Sequence, residues 1–372
     1  MQQVRKPGLL GNAELKEELA LLAAIEPGDF PFISCYLNAG AGKTACHQFL
    51  EQKAAVIRPT LSGSARFAFE NALAMLRRHL EEHWNAGAQG LAMFARGLAG
   101  GRHLSVMRFA VPFENSMAVY RVPEVLPLVE LLQREPEFTL VLAHRGQVQV
   151  LDIDLGKAAP RAWVNDFGTI GAAFSTPNNA AASAAKNRVA ALGGAQRFIQ
   201  RSAAASSTPL LLAGDEEALK KIVDWLPQRA VSRLLGTLAV PRSFGQREAV
   251  DLVRSQFAAM HAEDAKQLAS RLVTAVRTQG QAVAGNLATL EALRQGNVDT
   301  LVISDAGKPN MGARWDEKIE LSRQAWQQGT RVVLAESEEL RYLGGVGCLL
   351  RQCHEKRAMP VSARFGHLEL VA

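Results

Sequence analysis

The chain has 372 residues, 48% of them hydrophobic, with 42 Lys and Arg against 36 Asp and Glu for a formal net charge of +6. That length predicts two or three domains with ample apolar material for buried cores, and the basic balance favours acidic partners such as RNA. No apolar run reaches the roughly 18 residues of a membrane span. Met1–Pro7 lacks the apolar core of a signal peptide, and Cys35, Cys46, Cys348 and Cys353 show no Cys-x-x-Cys spacing, which excludes a disulfide scaffold and predicts reduced thiols in a cytoplasmic protein.

Ala13–Ile25 carries apolar residues at helical spacing and stops at Pro27-Gly28, and Phe30–Leu37 reads as a strand. The next segment, Asn38-Ala-Gly-Ala-Gly-Lys-Thr44, lies between a strand and a helix as a phosphate-binding loop does. The full pattern GxxxxGK[ST] requires glycine where this chain has Leu37, and without it the backbone does not turn tightly around phosphates. A Gly-rich strand-to-helix turn is therefore expected. Helices over Ala45–Ile57 and Ser64–Asn85 precede short strands at Gly90–Ala95, His103–Val111 and Met117–Tyr120, an α/β arrangement. His79 and His83 are one helical turn apart with no third ligand at a suggestive spacing, so a solvated helix face is expected rather than a metal site.

Pro123–Pro136 reads as a junction holding a short helix, Val125–Leu132. Phe138–Ala143 and Val148–Leu155, separated by a turn at Gly146, form a hairpin. Further on come a strand at Pro209–Gly214, a helix over Asp215–Trp225 with acidic residues in its first turn, a strand at Leu234–Val240 and a long helical stretch over Gln246–Gln279. Between these elements, Phe167–Gly214 spans 48 residues without Asp or Glu, yet holds Lys186, Arg188, Arg197 and Arg201. At about 100° per residue, Lys186, Ala190, Gly193, Arg197 and Arg201 share one side of a helix and Val189, Leu192 and Ile199 another. Basic residues flanking a strip of small ones suit close approach of a phosphate backbone, each cation adding salt-sensitive, sequence-independent affinity. A solvated face on an Ala-rich helix is the alternative. Each glycine of Gly193-Gly194 costs about 1 kcal/mol relative to alanine inside a helix, which points to a close approach or a bend there.

Asn286–Gln295 places Leu287, Leu290 and Leu293 at helical spacing, Gly296 stands where a left-handed cap is required, and Val298–Ser304 contains the apolar run of a buried strand. The pattern recurs with a helix over Asp316–Gln328, Gly329 and a strand at Arg331–Ala335. A Gly-rich turn, Gly344–Gly347, then leads into Cys348–Arg351. The loop Asp305–Arg314 is long and Gly-rich and carries Lys308 and Arg314, and loops on a rigid scaffold are where binding commonly sits. The tail Arg351–Arg357, with Arg341 and Arg364, is basic. Cys348, Cys353 and His354 do not match zinc spacings, and no metal or cofactor is expected.

The strings TLEALRQGNVDTLVIS (Thr289–Ser304) and ELRYLGGVGCLLR (Glu339–Arg351), separated by a helix and a strand, resemble the C-terminal domain of archaeal and eukaryotic peptide-release factors and of Pelota. They are closer still to the bacterial archaeo-eukaryotic release factor family, which includes ribosome-hibernation factors. The resemblance implies an α/β chain of three domains: an N-terminal α/β domain over 1–122, a central release-factor-like domain over 123–280, and an L7Ae-like α/β sandwich over 281–372. The central domain has an RNase H-like sheet and ends in the long connecting helix. The implied function is ribosome binding in hibernation or rescue, at the A site of the 70S ribosome, against the rRNA of that site and of the peptidyl-transferase centre, with elongation factor Tu as the candidate partner.

In release factors a tip carrying Gly-Gly-Gln precedes a long helix of the central domain and orients the water that hydrolyses peptidyl-tRNA. The corresponding slot here, Phe174, Ser175, Thr176, Pro177, Asn178 and Asn179, lacks that motif, and Gly193-Gly-Ala-Gln196 lies several turns into the helix with an extra alanine. The resemblance therefore implies a non-catalytic factor whose RNA-binding residues are Phe174–Asn179, Lys186, Arg188, Arg197, Arg201, Lys308 and Arg314. Two enzymes are the alternatives: a peptidyl-tRNA hydrolase using the Ser175–Asn179 loop, and an RNase H-like nuclease using Asp152 and Asp154, which share a strand face, with Asp166. A scaffold using only its C-terminal domain for protein contacts is a third reading.

Overall fold

The computed structural model describes residues 8–97, 103–144, 147–164, 194, 196–204, 207–241, 243–304 and 313–351. Among them, the residues up to Arg134 and those from Ala259 onward cluster into one compact unit, and Glu135–Ala258 into a second. The first unit thus joins residues from both of the segments read as first and third domains. Three sheets are present, giving a mixed α/β architecture. No helix among the described residues is long and apolar enough to cross a membrane.

In the first unit, β1 (Phe32–Asn38), β2 (Gly90–Arg96), β3 (His103–Phe109) and β4 (Ser116–Tyr120) form an antiparallel sheet in the order β3-β2-β1-β4. The central strand β1 is buried on both faces. Ile33, Cys35 and Leu37 face a core built with α2 (Lys43–Ile57) and α3 (Gly63–Glu82). On the other face Tyr36 meets Phe94 edge-on at 5.7 Å and donates to the Glu124 carbonyl at 2.5 Å, so its hydroxyl is satisfied on burial. The same unit holds α1 (Asn12–Ala23) and α4 (Leu126–Arg134).

Its second sheet has the order β10-β13-β11-β12, from β10 (Ala282–Ala284), β11 (Val298–Ser304), β12 (Arg331–Ala335) and β13 (Val346–Leu350). β11 and β12 run parallel through α10 (Ala313–Gln327), and α9 (Asn286–Arg294) leads into β11. Gly296 and Gly329 end these two helices at φ +68° and +65°, the left-handed caps that the sequence predicts. The helical spacing of Leu287 misleads, however: α9 buries Thr289, Ala292 and Leu293 and leaves Leu287 84% exposed. Cys35, Cys46 and Cys348 are free and buried, and burial pushes the Cys348 thiol up to about 12.

Arg323 of α10, only 8% exposed, donates through Nη1 to the Ala23 carbonyl at 2.8 Å, and Gln327 Nε2 donates to the same oxygen at 2.7 Å. Two side chains of α10 therefore satisfy an open carbonyl at the end of α1. The Arg323 guanidinium is itself held by Glu320 at 2.7 Å. Replacing Arg323 with methionine is expected to destabilise this unit by about 2 kcal/mol, the scale of a lost charge-assisted bond, and to speed amide exchange at Ala24 and Ile25. Unchanged exchange at those amides would show that the cap contributes nothing.

The second unit holds a five-stranded sheet in the order β7-β6-β5-β8-β9, from β5 (Phe138–His144), β6 (Gln147–Asp154), β7 (Lys157–Val164), β8 (Leu210–Gly214) and β9 (Leu234–Ala239). β5–β6–β7 are antiparallel, whereas β5–β8 and β8–β9 are parallel. Alternation along β5 sends Val141 and Ala143 to one face, with α6 (Glu216–Trp225) and α7 (Gln228–Val231), and Phe138, Leu140 and Leu142 to the other. The second face is covered by Ala249, Val250 and Val253 of α8 (Gln246–Arg277). Later residues of α8, Ala265, Ala269, Leu272 and Val273, serve a core of the first unit with Val302 and Val333, so one helix supplies both units with apolar stripes. A last short helix, α11 (Glu338–Tyr342), precedes β13 and is capped by the Ser337 hydroxyl, which accepts from the Leu340 amide.

Candidate nucleic-acid interface

Residues 196–204 form helix α5, the described part of the segment expected to carry the basic face. Ile199 and Ala203 are fully buried against Val141, Val150 and Leu212 of the second unit's sheet. That anchoring turns Arg197 and Arg201, four residues apart, to the exposed side. The C-terminal end of α5 is fixed by Arg233, which donates to the Ala203 carbonyl at 2.6 Å and the Thr208 carbonyl at 2.7 Å. The expected separation of a cationic edge from an apolar edge therefore holds over this stretch. Among the described residues nothing stands within 4 Å of where a Gly194 Cβ would be, so no close approach by them accounts for it.

Phe174–Asn179, Lys186, Arg188 and Lys308 lie outside the described residues, as does Asp166. Arg314 falls in the first turn of α10, on the first unit, whereas Arg197 and Arg201 belong to the second. The two arginines of α5 are the predicted contacts whose surroundings are described.

The chemistry around the competing sites is also visible. Asp152 accepts from Arg161 Nε at 2.9 Å and from the Thr139 hydroxyl at 3.2 Å, which makes it an ion-paired strand residue. Among the described residues no group of three His, Cys, Asp or Glu side chains is placed to hold a metal ion. The loop that imitates a phosphate cradle is a short 3-10 turn, Ala39–Ala41, followed by Gly42 at φ +96°. Lys43 begins α2 and donates to the Glu81 carbonyl at 3.0 Å, bridging α2 to the end of α3.

The expectation of a solvated face fits His83, which is exposed, and is corrected at the half-buried His79 by a residue that helical spacing on α3 does not reveal. Arg108 of β3 places Nη2 3.1 Å from His79 Nε2 and donates to the His83 carbonyl at 3.1 Å. The two imidazoles stack at 5.0 Å. Burial, then the Arg108 charge and His83, hold the His79 pKa down to about 4, so its ring is neutral at pH 7 and can accept from the guanidinium.

One surface feature escapes sequence reading. Leu287, Arg341 and Tyr342, the last 90% exposed, line an open groove of about 610 Å³ with Gly285, Gly344 and Glu317. Glu317 accepts from the Asn286 amide there. The only sequence signal is the glycine at each rim, because the leucine spacing assigns Leu287 to the core.

No protein-family profile matches the chain, and no curated protein matches it. Solved structures do. The crystal structure of the archaeal translation termination factor aRF1 is 16% identical, with 92% of this chain and 99% of that one covered and a TM-score of 0.30. Archaeoglobus fulgidus Pelota is 14% identical, with 91% and 92% covered and a TM-score of 0.33. Dom34 of S. cerevisiae, a translation termination-like factor involved in RNA quality control and interacting with Hbs1, is 9% identical, with 70% and 80% covered and a TM-score of 0.40. At these identities and scores the likenesses assign this chain neither an activity nor residue roles.

Proposed function

We propose that this protein is a non-catalytic, ribosome-binding translation factor that acts in hibernation or rescue by occupying the A site. The carrying observation is the exposed Arg197 and Arg201 edge of α5, seated on a buried apolar face within a 48-residue run free of acidic residues. The release-factor-like strings Thr289–Ser304 and Glu339–Arg351 point that basic edge toward the ribosome. RNase H-like and L7Ae-like domains, for the second unit's sheet and the β10–β13 sheet, belong to the same reading. The proposed partners are the rRNA of the A site and of the peptidyl-transferase centre of a 70S ribosome, with elongation factor Tu as the assisting GTPase. Phe174–Asn179 is the proposed inserted tip, and a chain without Gly-Gly-Gln is expected to bind there and leave the peptidyl-tRNA ester intact.

Guanidinium groups on a rigid helix displace counterions from phosphates, so affinity contributed by α5 falls steeply with salt. The purified chain is expected to co-sediment with vacant 70S ribosomes at low salt, with and without elongation factor Tu, and to leave peptidyl-tRNA uncleaved in the bound fraction. Joint replacement Arg197→Glu and Arg201→Glu is expected to weaken binding by about 10- to 100-fold and to lower the slope of log affinity against log salt by about 2. Unchanged affinity and slope would remove the role of α5. Failure of the parent chain to sediment at low salt would reject the ribosome reading itself and favour an enzyme.

A further inference from the structure

The open groove at the end of the β10–β13 sheet, about 610 Å³, falls within the size range of ligand-binding clefts, roughly 300 to 1,000 Å³. Its floor is backbone. Gly285 at φ +90° and Gly344 at φ +100° meet there, so closely that a Cβ on Gly344 would stand 3.3 Å from the Gly285 Cα. One wall is the first turn of α9, with Leu287 exposed and Glu317 of α10 bonded to Asn286. The other is the end of α11, where Arg341 and the exposed Tyr342 line the opening. Neither large side chain serves the core, because α9 buries Thr289, Ala292 and Leu293, and α11 buries Leu340. Tyrosine and arginine are residue types that carry much of the binding energy at protein interfaces, and Leu287 adds apolar surface for an anchor to pack on. Charge selects the guest. The two charged residues that line the groove among the described residues differ in sign, Glu317 on the α9 side and Arg341 on the α11 side. A nucleic-acid backbone would set phosphates against Glu317, whereas a peptide chain can offer a cation to Glu317 and a carboxylate to Arg341. We infer that this groove is a docking site for an extended peptide segment of a partner protein. The segment packs an apolar side chain against Leu287 and Tyr342, and carries a basic residue on the Glu317 side and an acidic one on the Arg341 side. The site does not depend on what α5 binds.

The test is selection of a phage-displayed library of random nine-residue peptides on the full chain, with the joint variant Leu287→Asp and Tyr342→Asp as the subtraction target. Both positions are exposed, so that variant is expected to keep the parent's melting midpoint. Peptides enriched on the parent are expected to share an apolar residue flanked by opposite charges. Their synthetic forms are expected to bind the joint variant about 30-fold more weakly, the scale of one lost hot-spot residue. Arg341→Glu is expected to exchange the acidic residue of the enriched motif for a basic one, a change that a purely structural role for Arg341 does not produce. Failure to enrich any peptide on the parent over the joint variant, a motif without the paired charges, or a motif unmoved by Arg341→Glu overturns the inference. So does a labelled oligouridine RNA that binds the parent and not the joint variant while no peptide is selected, which would make the groove a nucleic-acid site.

Discussion

Arg254→Ala is expected to cost the second unit about 3 kcal/mol, because it strands a buried carboxylate. Arg254 of α8 grips Glu135 with two bonds of 2.9 Å, from Nε and Nη2 to the two carboxylate oxygens. The Glu135 side chain is 9% exposed and that of Arg254 23%. A pair this sheltered contributes little net stability, since desolvating both charges offsets most of their attraction. Removing one partner leaves the whole penalty of the other. The Glu135 hydrogen bonds also raise the Arg254 pKa, against the opposing pull of burial. The double replacement Arg254→Met with Glu135→Leu should recover most of the loss in denaturant titrations. A double variant no more stable than the single one would mean that Arg254 acts through packing and not through its charge.

Gly214→Ala is expected to be at least as damaging, by about 4 kcal/mol from combined backbone strain and overpacking. Gly214 ends β8 at φ +144°, and a Cβ there would stand 1.8 Å from the Ala143 carbonyl oxygen. That oxygen accepts the Asp215 amide at 2.9 Å, so neither strand can move aside without breaking the β5–β8 pairing on which α5 rests. Gly194→Ala is the matched control. With open space at its Cβ it should stabilise α5 by up to about 1 kcal/mol. Equal melting of the Gly214 variant and the parent would show that the strand end yields.

The parts of the fold legible from the sequence are those whose signal is local. Left-handed glycines mark the ends of α9 and α10, a glycine between two apolar runs in the sequence signals the β5–β6 hairpin, and a 3.6-residue period separates Ile199 and Ala203 from Arg197 and Arg201. β7 escapes such a reading because Pro160 argues against a strand, yet β7 is the edge of its sheet, where a missing amide is tolerated. Leu287 misleads because α9 is short and its buried stripe runs through Thr289 and Ala292. Long-range partners leave no periodic trace: Arg108 reaches His79 across 29 residues, and Glu135 meets Arg254 across 119. For the interface itself, charge depletion along 167–214 and helical phase find the cationic edge, while chemistry at residues 174–179 depends on surroundings that periodicity does not encode.

The hydrogen bond from Arg323 to Ala23 spans 300 residues of chain. At about 5 to 20 residues per second, a translating ribosome needs roughly 15 to 60 s between making α1 and making its cap. For that interval Leu15, Leu19 and Leu22, all buried in the finished protein, lack part of their cover from α10. The β1–β4 sheet can close early on contacts within the first 120 residues, but α1 has to wait for α10. Nascent chains halted before α10 therefore present the apolar face of α1 to chaperones, and the first unit is completed only once α10 has been made.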